Sequence, residues 1–334
     1  MDQILAGTPL TLSRTTAVVK PRFEGSNICT WIGFKHVMYC VEEAVLEHFR
    51  SQNLAPRKLY EERGLCLEIV NSNVRILHAL HMDDSVQVHV IPKTKPNDTE
   101  LTMGIEVMVE REDKVLKALT GTVQILFRLD DSVVTAHAGA AMADPRISRY
   151  TVGRIQRGVR HSVPSLNLQR SPGVVSPEVM TALGADQTNS FVWKWHIPYF
   201  YCHFNDRMQH SGYLRLMEEV LDLFVADRGI SIRTLLENKK WIPVVPAANL
   251  QILDEAMMEE TIYTVFTVED IFKDTTYRSR MDCYVERHGG LVHTATGHIT
   301  HGYAVVDGRQ GWSLVTLDKE VVTALRGKKP AVPA

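Results

Sequence analysis

Two stretches of the chain place apolar residues at helical spacing. Across residues 34–52, Val37, Val41, Ala44, Val45, Leu46 and Phe49 share one face, a stripe wide enough to be buried. Residues 213–227 repeat the device with Leu214, Leu216, Met217, Val220, Leu221, Phe224 and Val225. Arg228-Gly229 then supplies a stop, because glycine accepts the left-handed cap. After each helix the period changes to two. Residues 73–80, 85–92, 104–111 and 115–128 alternate in the first half, and residues 248–253, 261–270, 276–287 and 291–305 in the second. Glu112-Asp113-Lys114 and His288-Gly289-Gly290 read as the hairpin turns between the last two strands of each set. The predicted unit is α+β, one long helix wrapped by one antiparallel sheet, and it occurs twice.

The doubling is visible residue by residue. Val109-Glu110-Arg111 returns as Val285-Glu286-Arg287, Thr120-Gly121 as Thr296-Gly297, and Ile76-Leu77 as Ile252-Leu253, each 176 positions later. Asp83-Asp84 is matched by Glu259-Glu260 at the same offset. Inside the helices, Val45-Leu46-Glu47 and Phe49 match Val220-Leu221-Asp222 and Phe224 at an offset of 175. On that reading Glu43 pairs with Glu218, and His36-Val37-Met38-Tyr39 echoes His210-Ser211-Gly212-Tyr213. A domain-sized period means two homologous domains fused in tandem. The expected division is a first domain over residues 1–141, a linker over 142–190, a second domain over 191–326 and a tail over 327–334. The linker is rich in Ser, Pro, Arg and Gly, with a short helix at 176–183.

Composition narrows the class. A chain of 334 residues has the length of two ordinary domains, and 45% hydrophobic with 23% charged residues is the balance of a folded core. A net charge of −2 gives no basic field for nucleic acid. The five cysteines form no C-x-x-C pair, which suits free thiols in a reducing compartment. Residues 1–20 lack the pattern of a signal peptide, and no run reaches the roughly 18 apolar residues of a membrane span. A cytoplasmic protein without a membrane partner is expected. Neither glycine-rich phosphate motif occurs, so no nucleotide cofactor is implied. His78, His81 and His89 lack a carboxylate cluster at ligand spacing, so no metal is expected.

Chemistry concentrates in residues 195–219, where an aromatic strand enters a polar loop that opens onto the second helix. His203, Asn205, Asp206, His210 and Tyr213 fall within it. A helix start presents unpaired N–H groups and partial positive charge, a place where a carbonyl becoming an oxyanion is stabilised. A carboxylate or imidazole beside it can activate water as general base.

The run His203-x-Asn205-Asp206-x-x-x-His210-x-x-Tyr213, leading into Leu214-Arg215-Leu216-Met217-Glu218-Glu219, resembles the entry to the central helix of hot-dog thioesterases. These include the 4-hydroxybenzoyl-CoA and acyl-ACP thioesterase groups. The resemblance implies a tandem double hot-dog chain acting on an acyl-CoA or acyl carrier protein in lipid or polyketide metabolism, without a cofactor. His203 falls where the family's usual Asp stands, Asp206 suits another spacing of the motif, and Asn205 follows His203 where plant acyl-ACP thioesterases place an Asn. The base is therefore open among Asp206, His210 and His203, with Asp206 and His210 the favoured pair and Asn205 orienting the carbonyl. Tyr213, Glu218, Asn27 and Glu43 are the implied substrate contacts, since hot-dog sites form between two domains and some use a helix Glu. The acyl chain is expected along the two central helices. The first half offers a thinner loop, Asn27-Ile28-Cys29-Thr30, without an aspartate. A homodimer of such pseudo-dimers is one outcome the sequence leaves open.

Each assignment has a structural rival. Asp206 fits an N-cap, His203 a strand-end histidine, and Glu218-Glu219 a solvated face. Trp193, Tyr199 and Tyr201 fit a core, while Cys29 lacks a setting that would activate its thiol. Arg228, Lys239 and Lys240 are placed either on a carrier's phosphates or on a solvated surface. Two other functions share the fold. One is hydration of an enoyl thioester or dehydration of a 3-hydroxyacyl thioester, and the other is binding without catalysis.

Overall fold

The computed structural model describes residues 13–130, 144–162, 175–307 and 311–327. The expected tail beyond residue 327 and parts of the linker lie outside these. Two compact units divide at Ile155 and Gln156. No helix among the described residues is long and apolar enough to cross a membrane.

The first unit runs β1 (Thr15–Val19), α1 (Phe34–Ser51), α2 (Pro56–Arg63), β2 (Leu65–Ile76), β3 (Val86–Pro92), β4 (Leu101–Arg111), β5 (Lys114–Leu129) and β6 (Thr151–Val152). The second runs β7 (Arg160–Ser162), α3 (Pro177–Ala182), β8 (Ser190–His196), α4 (His210–Asp227), α5 (Ile232–Lys239), β9 (Trp241–Ile252), β10 (Thr261–Phe272), β11 (Thr276–Arg287), β12 (Gly290–Asp307), β13 (Gly311–Leu314) and α6 (Lys319–Leu325). Strand order is β1-β3-β4-β5-β2 in the first unit and β8-β10-β11-β12-β9 in the second, antiparallel throughout. Short additions flank them, β6 parallel to β5, and β7 and β13 antiparallel to β12. The strands β4–β5 and β11–β12 meet at Glu112-Asp113 and His288-Gly289. All four residues have positive φ, the twist that tight hairpins need.

Each central helix, α1 or α4, buries its apolar stripe on its sheet. Every buried residue of α1, from Phe34 to Phe49, has a buried counterpart in α4 exactly one period of 176 later. This corrects the helix register read from identities. Glu43 corresponds to Glu219, not Glu218, and Phe49 to Val225. The matches at 175 arose because neighbouring positions of an apolar face are filled from the same few residues. The duplicated glycines have a packing reason. A Cβ on Gly297 would lie 2.4 Å from Met217 Cε of α4, and one on Gly121 would lie 2.4 Å from the Asn73 carbonyl oxygen.

The interiors differ in polarity. Where the first unit buries Leu101, Ile125 and Phe127, the second buries Tyr277, His301 and Tyr303. The His301 ring stacks on Tyr277 with centroids 5.2 Å apart, and neither of its nitrogens has a hydrogen-bond partner among the described residues. The outer faces differ in the opposite sense. Val179 of α3 and Ala185 cover Tyr263, Val265, Tyr284 and Leu291. The corresponding Gln87, His89, Met108 and Val115 of the first unit include an exposed valine. The linker helix thus serves an apolar patch that only the second sheet carries.

Candidate active site

The loops before α1 and α4 share one skeleton. A 3-10 turn (Phe23–Gly25, Tyr199–Tyr201) leads to a bridge that pinches the loop, Ser26 to Ile32 in one and Cys202 to Met208 in the other. The loop is then laced to the segment after the next strand. Ile32 N donates to Leu80 O and Met208 N to Ala256 O, both at 2.8 Å, while Met82 N reaches Thr30 O and Met258 N reaches Asp206 O. The repeated Val-Glu-Arg arginines hold that segment. Arg111 donates to Ala79 O at 2.7 Å and Asp84 Oδ2 at 2.6 Å; Arg287 donates to Glu255 O and Glu260 Oε2, both at 2.6 Å. Arg287 also reaches buried Asp254 at 3.1 Å. Asp84 and Glu260, the second members of the repeated acidic pairs, are therefore the other halves of two arginine clamps. This skeleton also replaces the suggested echo of His36 and Tyr39 in His210 and Tyr213. At one period, His36 corresponds to Gly212 and Tyr39 to Arg215.

On this common frame the second loop carries its own chemistry. His203 Nε2 is hydrogen-bonded to Ser211 Oγ, joining the loop to the second residue of α4. Burial, and then the nearby Arg215 guanidinium, pull the His203 pKa below its usual 6.5. Arg215 is fixed in turn, donating to Phe200 O at 2.8 Å with its guanidinium 4.4 Å above the Phe200 ring. Phe204 sits at φ 70, a left-handed conformation that costs a bulky residue energy and that recurs at functional loops. Asn205 Oδ1 accepts from Arg207 N at 2.9 Å, so the end of Asn205 suited to a carbonyl oxygen is its amide nitrogen. The helix start adds the partial positive charge of the helix dipole beside the loop.

The other expected residues are placed less favourably for catalysis. Asp206 is exposed and is not the helix cap; that position is Gln209. Its charge, after burial, helps push the Cys202 thiol up to about 11. His210 is the first residue of α4, 3% exposed, and burial pushes its pKa down to about 4. Tyr213 is fully buried, with its hydroxyl near Thr294 but outside good hydrogen-bond geometry, and burial raises its pKa far above 10. Glu218 is half-buried on α4. Glu43 is exposed on α1, 3.7 Å from Arg50, and Asn27 lies over Gly33 at the start of α1. In the first loop Asn27, Cys29, Thr30 and Lys35 stand where the second has His203, Asn205, Asp206 and Ser211. Burial raises the Cys29 thiol, so it is not an activated nucleophile. Arg228 donates to Ser190 O and Lys239 pairs with Asp318 and Glu320, which commits both to structure.

Ser211 and Arg215 escaped the sequence reading. Neither carries a local signal, since serine is common in a first helical turn and arginine on an amphipathic helix; only the folded loop brings them to His203.

No protein-family model and no curated protein matches the chain in sequence. Among solved structures, a Lactobacillus plantarum protein described as an oleoyl thioesterase superposes with a TM-score of 0.53. The match spans 88% of this chain and 98% of the other at 9% identity. The 12:0-ACP thioesterase of Umbellularia californica gives 0.53 over 87% and 97% at 10% identity. At such identities the likeness is one of fold: the chain is two hot-dog domains in tandem, as the resemblance of the loop before the second helix implied.

Proposed function

We propose that the protein hydrolyses acyl thioesters, with its working site in the loop and helix start of the second unit. The observation that carries the reading is the His203–Ser211 pair beside the first turn of α4, on a fold shared with proteins described as thioesterases. A base held neutral near pH 7 accepts a proton from water without first losing one. His203 fits that role better than His210, which is enclosed; Asp206 is exposed as His203 is, but only His203 is joined to the first turn of α4, through Ser211. The Asn205 amide and the helix-start N–H groups would take the carbonyl oxygen as it becomes an oxyanion. The substrate is an acyl-CoA or an acyl carrier protein, and the products are a carboxylic acid and a thiol. Hydration or dehydration of an unsaturated or 3-hydroxyacyl thioester uses the same imidazole as a near-neutral base, which is why it stays the second reading.

The test is thiol release from saturated, 3-hydroxy, 2-enoyl and aroyl-CoAs, with mass spectrometry of the products. Release that falls at least about 100-fold in His203→Gln supports the reading, the scale of a lost general base. Thioesters that gain or lose water with the thiol retained replace it with the hydratase reading. Bound but unchanged thioesters would indicate a binding protein.

A further inference from the structure

We infer that Ser211 is a nucleophile, and that hydrolysis proceeds through an acyl group held as an ester on its Oγ. The inference rests on the thioesterase reading and concerns the same site. Its strongest support is internal. The first unit builds the same 3-10 turn, the same pinched loop and the same arginine clamp with Asn27 and Lys35 at the positions of His203 and Ser211. The hydroxyl–imidazole pair is therefore not required to form the loop. It exists only in the loop that also carries Asn205. Ser211 Oγ is held against His203 Nε2, the residue is 5% exposed, and it stands in the first turn of α4, at the positive end of the helix dipole. A serine hydroxyl is a weak nucleophile until an adjacent base takes its proton, and this geometry supplies that base.

The chemistry balances within the site. Ser211 Oγ bonds to the thioester carbonyl carbon as its proton passes to His203 Nε2. The tetrahedral oxyanion collapses, the C–S bond breaks, and His203 returns the proton to the departing sulfur. The thiol leaves and a serine ester remains. Water then gives a proton to His203 Nε2 as its oxygen attacks the ester carbonyl. Ser211 Oγ departs with that proton, releasing the carboxylic acid.

The experiment partitions the full-length protein's product between water and added hydroxylamine, using the same acyl group on CoA and on N-acetylcysteamine. A common acyl-enzyme gives one hydroxamate-to-acid ratio for both leaving thiols. Intact mass should show the acyl adduct, mapped to the peptide containing Ser211. Ser211→Cys should form the adduct as a thioester, while Ser211→Ala should lose about 1000-fold or more in turnover, the scale seen when a nucleophile is removed. Ratios that track the leaving thiol, absence of any trapped product, or a Ser211→Ala variant within about 10-fold of the parent would overturn the inference and leave direct hydrolysis standing. Absence of thiol release from every thioester would remove the thioesterase reading itself.

Discussion

Acid should unfold the second unit through its buried histidines, and His301 offers the cleanest perturbation. Its ring is enclosed by Tyr277 and the strand interior, and burial pushes its pKa to about 3. In the unfolded chain a histidine titrates near 6.5. The folded pKa is depressed, so the stability it protects is complete above pH 6.5 and is lost as pH falls toward 3. At pH 5 the unfolded chain has bound a proton that the folded chain has not, a loss of about 2 kcal/mol relative to pH 8. His210, with a folded pKa of about 4, adds about another 2 kcal/mol by the same argument. His301→Ile installs the residue type found at the corresponding Ile125 and removes one of these two contributions. It also removes a ring whose nitrogens lack partners, a gain of about 1–3 kcal/mol at any pH. Urea unfolding followed by tryptophan fluorescence reports largely on the second unit, since Trp193, Trp195, Trp241 and Trp312 lie there and only Trp31 in the first. The stability difference between variant and parent should widen by about 2 kcal/mol from pH 8 to pH 5. A difference that stays flat across that range would refute the claim that His301 is held neutral by burial.

Two further outcomes follow from the site and its supports. Arg215→Met removes the positive charge that helps hold the His203 pKa down, so the acid limb of the pH–rate profile should move to higher pH; an unmoved limb would show that His203 does not govern it. Arg287→Met strands Glu260 and buried Asp254 without their cation. It should cost about 3–5 kcal/mol in urea unfolding, whereas Arg111→Met, whose one acidic partner is Asp84, should cost less.

The sequence displayed the fold through features that act over short range. The apolar stripes of the central helices, the hairpin tips and the Val-Glu-Arg repeat each need only a few residues to be recognised. Elements decided by their surroundings were not legible. β1 is five residues of Thr, Ala and Val at a sheet edge, and α2 is mostly charged, with Leu59 its one buried residue. The helix start moved from Tyr213 to His210 because its first turn is buried by the 3-10 turn beneath it, which no cap residue announces. The same applies to the site. His203 and Asn205 stood out because polar residues in a short loop before an apolar helix are conspicuous. Ser211 and Arg215 become relevant only when the loop folds back against the helix. The one-residue error between the two helices arose because identity is a poor ruler where apolar residues interchange freely, while burial is a good one.

One exchange between the halves sets a rule for how they can diverge. Gly25 makes room for His36, which a Cβ there would meet at 2.7 Å; one period later Tyr201 stands against Gly212, where a Cβ would lie 2.5 Å from the Tyr201 carbonyl oxygen. The two halves meet that contact differently. In the first, what a Cβ at position 25 would strike is the His36 side chain, which a glycine at 36 would not present; in the second, what a Cβ at position 212 would strike is a backbone carbonyl, which every residue at 201 presents. Position 25 is therefore released from glycine by a change at 36, whereas position 212 is held to glycine by the path of the chain itself. Chimeras of the two loops should accept a larger residue at 25 when 36 is made glycine, and should lose the start of the second helix when histidine is placed at 212, whatever stands at 201.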